Sequence, residues 1–519
     1  MYDELYHTII IYPDFKDIFA IVKNIITSIL FIILIIAGLF FRMNMFTGHI
    51  THVDSYKYLN QANSFQSSAS KTYAEINTPV ENKWGLPIFV SDINRVLGFD
   101  GDRLVKLFRY TNIILSLMAA ILLFLFAKGI SRIFTIPLFL SPLFFDYSSY
   151  IINEYLNVFL LITVLIMLVN FNNFKGRTKL LIPIFMGILL GFLPFVRPEA
   201  MVISAIIAGY IFAHEGRKKG IITSASIIVT IIVFYFSIAF HINNFSISKE
   251  ILLFFAASII TGLATFIIMK KAKLAIPILI SLITTLFPLM ILISQTYKLA
   301  FDLDLMLFIF TSISLIVTAI LVWGKKVKPP KETIIPALIT LILGLFFFIF
   351  NKDIDRYAIT IYASILITLT ITYKDVILTG LYAKMKLFSI AVFVLILLAG
   401  SIWHIQIFRP RGEDYQQYVV KHLNISQEKV YLSGFLYTPF VFYKNSIPVI
   451  ADEIQSGDIE RSSLVIVDDS LLLTNKKLAD EIGNSGNFKL LNTFAVPVVF
   501  NYSGGDVYYT GKVGIFLKI

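Results

Sequence analysis

Long apolar runs, separated by short polar connections, dominate the chain. The first run covers residues 22–41 and is followed by Arg42 without a small-residue cleavage site, so we predict a retained membrane anchor. Further apolar runs lie at residues 107–127, 133–146, 150–171, 180–196, 199–213, 221–240, 251–269, 274–294, 305–323, 333–350, 357–373 and 387–405. The pattern predicts a polytopic α-helical membrane protein with about thirteen transmembrane helices. The run at 133–146 is short and is expected to thin the bilayer locally or to pack tilted inside the bundle.

The composition supports this interpretation. The 519 residues are 57% hydrophobic and 15% charged, with a mean hydropathy of +0.80, which excludes an ordinary soluble domain. The net charge of +11 lies in short clusters between the apolar runs rather than on a polar domain, which argues against a nucleic-acid partner. Because there is no Cys, the chain has neither a disulfide framework nor a thiolate metal site.

Basic residues collect in every second connection between the runs. These clusters are Lys128 with Arg132; Lys175, Arg177 and Lys179; Arg217, Lys218 and Lys219; Lys270, Lys271 and Lys273; Lys325, Lys326, Lys328 and Lys331; and Lys374, Lys384 and Lys386. Cytoplasmic loops are enriched in Lys and Arg. The alternation therefore predicts a multi-pass cell-membrane protein with a cytoplasmic N-terminus and an extracytoplasmic C-terminus, and it requires the short run at 133–146 to cross.

Two segments are too polar for the membrane. One is a first outer loop at about residues 43–105, and the other is the tail at 406–519. Short strand-like stretches at 430–432, 464–467 and 498–501, with helical composition at 416–423 and 476–482, predict a small extracytoplasmic α/β domain in the tail. We therefore expect a transmembrane domain at 1–405 and a C-terminal domain at 406–519.

The first outer loop contains candidate chemistry. His52, Asp54 and Tyr58 lie in the string HVDSYKYL just after the first helix, where a carboxylate could take a proton from an acceptor hydroxyl. The structural alternative for Asp54 is a helix N-cap. Lys83, in the stretch ENKWGLP, could hold a phosphate, or its side chain could instead extend from the headgroup region.

Later connections supply further polar candidates. Asp146 and Glu154 flank the turn YSSY, and an acid there could position a sugar or acceptor, although loop solvation explains Asp146 almost as well. Arg197 ends a run containing Gly187-xxx-Gly191, for which a structural hairpin is the alternative. Arg356 and Tyr357 begin another run; Arg356 could clamp a phosphate bidentately, or the pattern is a helix start with a snorkelling Arg.

Nucleotide-phosphate loops, HExxH, GxSxG and metal-spaced His clusters are absent from the sequence. Instead, the arrangement resembles the GT-C superfamily of polyprenyl-phosphate-sugar glycosyltransferases, in particular protein O-mannosyltransferases and lipid A aminoarabinose transferases. The resemblance covers the first twelve helices loosely: an acid opening a long outer loop, a later Lys before Pro, an acid on the fourth span, a Gly-rich fifth span ending in Arg-Pro, and a late Arg-Tyr. Thirteen spans followed by an outer domain also resemble the aminoarabinose transferase layout.

The resemblance implies roles for individual residues. Asp54 would be the catalytic carboxylate, Lys83 and Arg356 the phosphate contacts, and Glu154 a supporting acid. Two departures stand out: Ser55 follows Asp54 where many members have a second acid, and the paired Trp-Asp motif of oligosaccharyltransferases is absent, which argues against en-bloc glycan transfer to Asn.

The expected function is inverting, single-displacement transfer of one sugar from a polyprenyl phosphate, for example dolichyl phosphate mannose, to a protein, lipid or glycan acceptor at the outer membrane face. This chemistry requires no cofactor or metal, although a divalent cation would be compatible with it. A lipid or glycan transporter or flippase is the first alternative, but no repeat symmetry is evident. A non-catalytic envelope assembly protein is the second.

Overall fold

The computed structural model describes residues 15–45, 53–66, 83–174, 178–241, 249–269, 271–293, 304–350, 354–376, 381–408, 415–425, 429–444, 446, 448–496, 499–501, 507–509 and 512–519. Apolar helices make up most of the first 408 residues. They are α1 (Phe15–Asn44), α2 (Val53–Gln66), α3 (Gly85–Leu97), α4 (Gly101–Phe126), α5 (Ile136–Leu140), α6 (Pro142–Asp146), α7 (Glu154–Val169), α8 (Thr178–Val196), α9 (Ala200–His214), α10 (Arg217–His241), α11 (Lys249–Met269), α12 (Ala272–Ile293), α13 (Leu305–Trp323), α14 (Ile334–Phe350), α15 (Ile354–Tyr373) and α16 (Leu381–Phe408).

Some of the helices have the length and composition of membrane spans. Within the described residues, four are long and apolar enough to cross a membrane, namely Ile25–Asn44, Gly101–Phe126, Arg217–Ile238 and Leu305–Trp323, and seven shorter apolar helices accompany them. Large apolar side chains are exposed along these helices, as expected for a surface that faces lipid. The chain is a helical membrane protein, and the number of about thirteen spans remains a prediction.

The short run predicted at 133–146 is a broken helix. The segments Gly129–Leu140 and Pro142–Ser149 meet at Ser141 with a bend of 51°. Pro142 disfavours a helical Ser141, whose ψ is 136°. The two helical segments run back along α4. Arg132, near the start of the first segment, donates to the carbonyl of Ala127 at the end of α4 at 3.2 Å. Ser149, at the end of the second segment, accepts from Arg109 in the first half of α4 at 2.6 Å. The segment therefore follows most of the length of α4.

A fully buried arginine stabilises this break. Arg42, near the end of α1, donates to the carbonyl oxygens of Leu138 at 2.7 Å and Phe139 at 2.9 Å, just before the bend. It also donates to the hydroxyl of Ser116 on α4. These carbonyls would otherwise lack partners in an apolar interior, where an unmade hydrogen bond is costly.

The glycines of α8 allow close helix packing. A Cβ on Gly187 would lie 2.4 Å from the Cβ of Ser226, and a Cβ on Gly191 would lie 2.6 Å from the Cβ of Thr230, both on α10. The two glycines, spaced four residues apart, therefore allow α8 and α10 to approach closely.

Residues 415–519 form an α/β unit. Its helices are α17 (Tyr415–His422), α18 (Gly434–Lys444), α19 (Asp469–Thr474) and α20 (Lys476–Asn484), and its strands are β1 (Val430–Leu432), β2 (Val449–Ile450), β3 (Leu464–Val467), β4 (Phe488–Ala495), β5 (Val499–Asn501), β6 (Val507–Tyr509) and β7 (Lys512–Lys518). Five strands form one sheet in the order β2-β1-β3-β7-β4; β1 is parallel to β2 and β3, whereas β7 is antiparallel to β3 and β4. Strands are present at the positions predicted from the sequence, while an extracytoplasmic location for this unit remains a prediction.

A buried carboxylate links two helices of this unit. Asp468 accepts hydrogen bonds from the Leu471 backbone at 3.0 Å, the Ser470 hydroxyl at 2.6 Å and the Tyr415 hydroxyl at 3.1 Å. Burial raises the pKa of the Asp468 carboxyl above its usual range, although these hydrogen bonds act in the opposite direction. The charged form of Asp468 is therefore disfavoured in the folded unit.

Basic side chains gather at one end of the bundle, which we call the basic end. Lys374 lies 3.7 Å from the ring centroid of Phe126, at the ends of α15 and α4. Lys219, at the start of α10, lies 4.3 Å from the ring centroid of Phe171. Cations over aromatic faces at helix ends are typical of a membrane interface. The opposite end of the bundle, where α7, α9 and α15 begin, contains the predicted site residues.

Candidate functional site

A buried ionic cluster lies at the end of the bundle opposite the basic end. Arg197, directly after α8, pairs with Glu154 at the start of α7 and with Glu199 just before α9. Arg197 is 2% exposed and Glu154 is 1% exposed, so the pair is removed from water. Buried charges persist in proteins only when they are paired and hydrogen-bonded. Two of the predicted site residues, Glu154 and Arg197, are therefore partners of each other.

Asn153 connects this cluster to Lys83. Its side-chain amide donates to the carbonyl of Lys83 at 3.1 Å and to the carbonyl of Val196 at 3.2 Å. A Cβ on Gly85 would lie 2.9 Å from the Val196 backbone, so the start of α3 packs directly against the end of α8. Lys83 is buried, and its carbonyl is bonded to Asn153, the residue before Glu154, which also bonds Val196, the residue before Arg197.

The turn before α7 is fixed by polar side chains of α4. Arg109 donates to the Ser149 carbonyl at 2.6 Å, and Asn112 donates to the carbonyls of Tyr150 and Ile152 at 2.6 and 3.0 Å. These bonds satisfy a non-helical backbone that has no water to pair with. The turn is consequently a rigid part of the site.

The start of helix α2 contacts the same connection between α6 and α7. The hydroxyl of Ser55 donates to the carbonyl of Ile151 at 3.2 Å, three residues before Glu154. Asp54, the residue before Ser55, lies within α2, which agrees with a position at the helix start. The side chain of Asp54 and the whole of His52 lie outside the described residues. Tyr58, one turn further along α2, is buried.

Helix α15 starts beside α7. Asn157 donates to the hydroxyl of Thr360 at 3.3 Å, which fixes the two helices against each other one turn after Glu154. Arg356 and Tyr357 lie in the first turn of α15, four and three residues before Thr360, so their backbone is about 5–6 Å closer to the helix start. Their side chains lie outside the described residues.

Asp146 belongs to a different cluster. Its carboxylate lies 3.6 Å from Nε2 of His404 on α16, and both side chains are buried. Nearby, Asp304 accepts hydrogen bonds from the Ser141 hydroxyl and from the Leu143 backbone at 3.4 Å, which caps α6. The interpretation of Asp146 as a solvated loop residue is therefore wrong. His404 and Asp304 were not predicted, although a His inside the run 387–405 was a signal that could have identified the first.

The C-terminal unit covers part of the site. Val441 of α18 packs with Trp84, Phe195 and Ile238 in one apolar cluster. Asn60 of α2 donates to the Thr438 carbonyl at 3.1 Å. The aromatic residue after Lys83 is thus buried beneath a helix from the far end of the chain.

A second contact fixes the C-terminal unit to α4. Asp102 accepts from Lys421 at 2.7 Å, from Gln417 at 3.1 Å and from the hydroxyl of Tyr443 at 3.1 Å. Asp102 was not predicted as a functional residue, because a lone carboxylate after Gly carries no recognisable motif. The three donors come from α17 and α18, so one carboxylate joins both helices to the bundle.

These contacts bring the backbones of Asp54, Lys83, Glu154, Arg197 and Arg356 to one region, at the helix ends opposite the basic end. Across the described part of the chain, no group of three or more His, Asp or Glu side chains is placed to share a metal ion. The described part of this region combines the Glu154–Arg197–Glu199 ion cluster, the buried Lys83 and the N-termini of α7 and α9.

Comparisons with known proteins agree with this architecture. No protein-family profile and no curated protein matches the sequence. The fold is similar to the Archaeoglobus fulgidus oligosaccharyltransferase, whose structure was solved in complex with Zn and sulfate, with a TM-score of 0.53 and 12% identity over 92% of this chain and 72% of that one. The mycobacterial arabinofuranosyltransferase AftD also matches, with a TM-score of 0.48 and 12% identity over 94% of this chain and 39% of that one. The resemblance inferred from the sequence is confirmed at the level of the fold: this chain has the fold of the GT-C glycosyltransferases.

Proposed function

We propose that the protein is a membrane glycosyltransferase that moves one sugar from a polyprenyl-phosphate donor to an acceptor at the outer membrane face. The observation that carries this proposal is the buried Glu154–Arg197–Glu199 cluster, joined through Asn153 to Lys83, within a GT-C fold. A transporter or flippase is expected to show internal repeat symmetry, and none is evident in the sequence.

The proposed reaction is a single displacement with inversion. The acceptor hydroxyl oxygen forms a bond to the anomeric carbon while the bond from that carbon to the lipid phosphate oxygen breaks. The acceptor proton passes to the Asp54 carboxylate, and the electron pair leaves with the phosphate. Lys83 and Arg356 stabilise the charge that develops on that phosphate.

Glu154 has a supporting role in this scheme. The carboxylate of Glu154 is paired with Arg197, and this ion pair fixes the end of α8 against the start of α7. Asn153, next to Glu154, donates to the carbonyl of Val196, next to Arg197, and to the carbonyl of Lys83, so the ion pair and Lys83 are linked through the backbone. We therefore assign Glu154 and Arg197 to positioning, and we expect the acceptor and donor to lie between this cluster and α2.

The first test measures transfer of labelled sugar from polyprenyl-phosphate mannose in membranes that contain the native chain or Asp54→Asn at matched expression. We expect the variant to lose roughly 10²- to 10⁴-fold in rate, as is typical for loss of a general base. Asp92→Asn is the matched control, because Asp92 forms an exposed ion pair with Arg95 on α3. Equal rates for the native chain and Asp54→Asn would remove Asp54 from the mechanism, and no transfer by the native chain from a panel of polyprenyl-phosphate sugars would refute the donor class.

A further inference from the structure

A cavity of about 530 Å³ opens at the basic end of the bundle, far from the candidate site. It lies where α9 ends, α10 begins and α11 ends. Its inner wall is apolar, formed by buried Met269 and half-buried Phe212 and Phe266. Helix α9 has 15 residues, so the cavity is about 20 Å along the helix axis from Arg197.

The mouth of the cavity carries cations. Arg217 and Lys331 line it from α10 and from the turn before α14, and both are exposed. Neither has an ion-pair partner among the residues that the structure describes. His214 lines the same cavity, and its Nε2 is buried without a hydrogen-bond partner in the described part of the chain. Two cationic side chains, Arg217 and Lys331, therefore line one space that has an apolar interior.

The nearby carboxylates do not line the cavity. Glu215 pairs with Lys219 at 2.9 Å, and Glu332 accepts from the Tyr210 hydroxyl at 3.0 Å. The charged side chains of the described lining are Arg217 and Lys331, so the cavity itself attracts an anion. A guanidinium and an ammonium together suit a phosphate group.

We propose that this cavity binds the phosphate headgroup of an anionic membrane lipid, at a site separate from the transferase site. Arg217 and Lys331 contact the phosphate, and an acyl chain lies against the apolar wall. The neighbouring Ile221 on α10 is 59% exposed, so the mouth is continuous with a surface that faces lipid. A free phosphate would gain nothing from the apolar wall, which favours a lipid over a soluble anion.

The test counts lipids bound to the protein by native mass spectrometry after reconstitution in nanodiscs of phosphatidylcholine with or without phosphatidylglycerol. We compare the native chain with the double variant Arg217→Gln, Lys331→Gln. The control is Lys326→Gln, Lys328→Gln, which removes two exposed charges from the same end but outside the cavity. We expect phosphatidylglycerol retention to fall by roughly 10- to 30-fold in the cavity variant only, and Arg217→Lys to retain most binding.

Three outcomes would overturn the proposal. Undiminished phosphatidylglycerol retention by the cavity variant would show that the site is not used. An equal loss in the control would indicate general surface charge. Displacement of phosphatidylglycerol by inorganic phosphate at similar concentrations would assign the cavity to soluble anions. None of these readouts depends on sugar transfer, so the proposed enzymatic function is tested separately.

Discussion

Removing the guanidinium of Arg197 should destabilise the protein far more than removing an exposed arginine. In Arg197→Gln, the carboxylates of Glu154 and Glu199 lose their shared cation while both remain buried. Breaking a buried pair by deleting one partner costs about 3–5 kcal/mol, because the remaining buried charge loses the attraction that offset its removal from water. Arg95→Gln is the matched control, since the Arg95–Asp92 pair is more than half exposed and such pairs contribute about 0.2–1 kcal/mol.

A double-mutant cycle isolates the cause. Unfolding in mixed micelles would be measured for Arg197→Gln, Glu154→Gln and the combined variant. Because Gln at 154 is neutral, the combined variant should be less destabilised than the sum of the single changes by about 1–3 kcal/mol. If Arg197→Gln and Arg95→Gln were equally stable, or if the two site changes were additive, the buried cluster would not be the stabilising feature that we infer.

Three further changes test other contacts. Gly85→Ala would place a Cβ 2.9 Å from the backbone of Val196 at the end of α8, so we expect a several-fold loss of sugar transfer. Gly400→Ala is the control: the space around Gly400 is open, and this variant should transfer sugar at the native rate in the same assay. Asp102→Ala removes the carboxylate that accepts from Lys421, Gln417 and Tyr443. Because this contact is partly exposed, we expect little change in the unfolding of the bundle. Proteolysis should nevertheless release the C-terminal unit faster than from the native chain. Asp468→Ala should destabilise the C-terminal unit by about 1–3 kcal/mol at low pH. Since burial raises the pKa of Asp468, native stability should fall as pH rises from the ordinary carboxyl pKa through the raised value, and this slope should vanish in the variant's pH-dependent melting curve.

Most of the helical architecture could be predicted because apolar periodicity directly reports burial in lipid. The run 305–323 coincides with α13, and the strands at 430–432 and 464–467 coincide with β1 and β3. The bend at Ser141 was harder to predict, because its partner Arg42 lies about a hundred residues away in the chain. Hydropathy identifies the residues that are buried away from water, but it does not show which polar side chain donates a hydrogen bond to a carbonyl far along the chain.

The candidate site was predictable only in part. Charged residues within apolar runs identified Glu154 and Arg197, yet nothing local shows that they pair with each other. Asn153 and Asp102 were missed because an isolated amide or carboxylate has no characteristic spacing, and their function comes from three-dimensional contacts alone. The assignment of Asp54 as base is untested by the described residues and remains a prediction.

The contact between Asn60 and the carbonyl of Thr438 spans 378 residues of chain. At a typical rate of about 5–20 residues per second, roughly 20–75 s of synthesis separate the two partners. During this time helix α2 and Trp84 lack their contacts with α18, while the rest of the bundle is inserted. Completion of this region is consequently a late event in biosynthesis, so a ribosome-bound chain stalled before α18 would expose an apolar surface that folding factors could recognise.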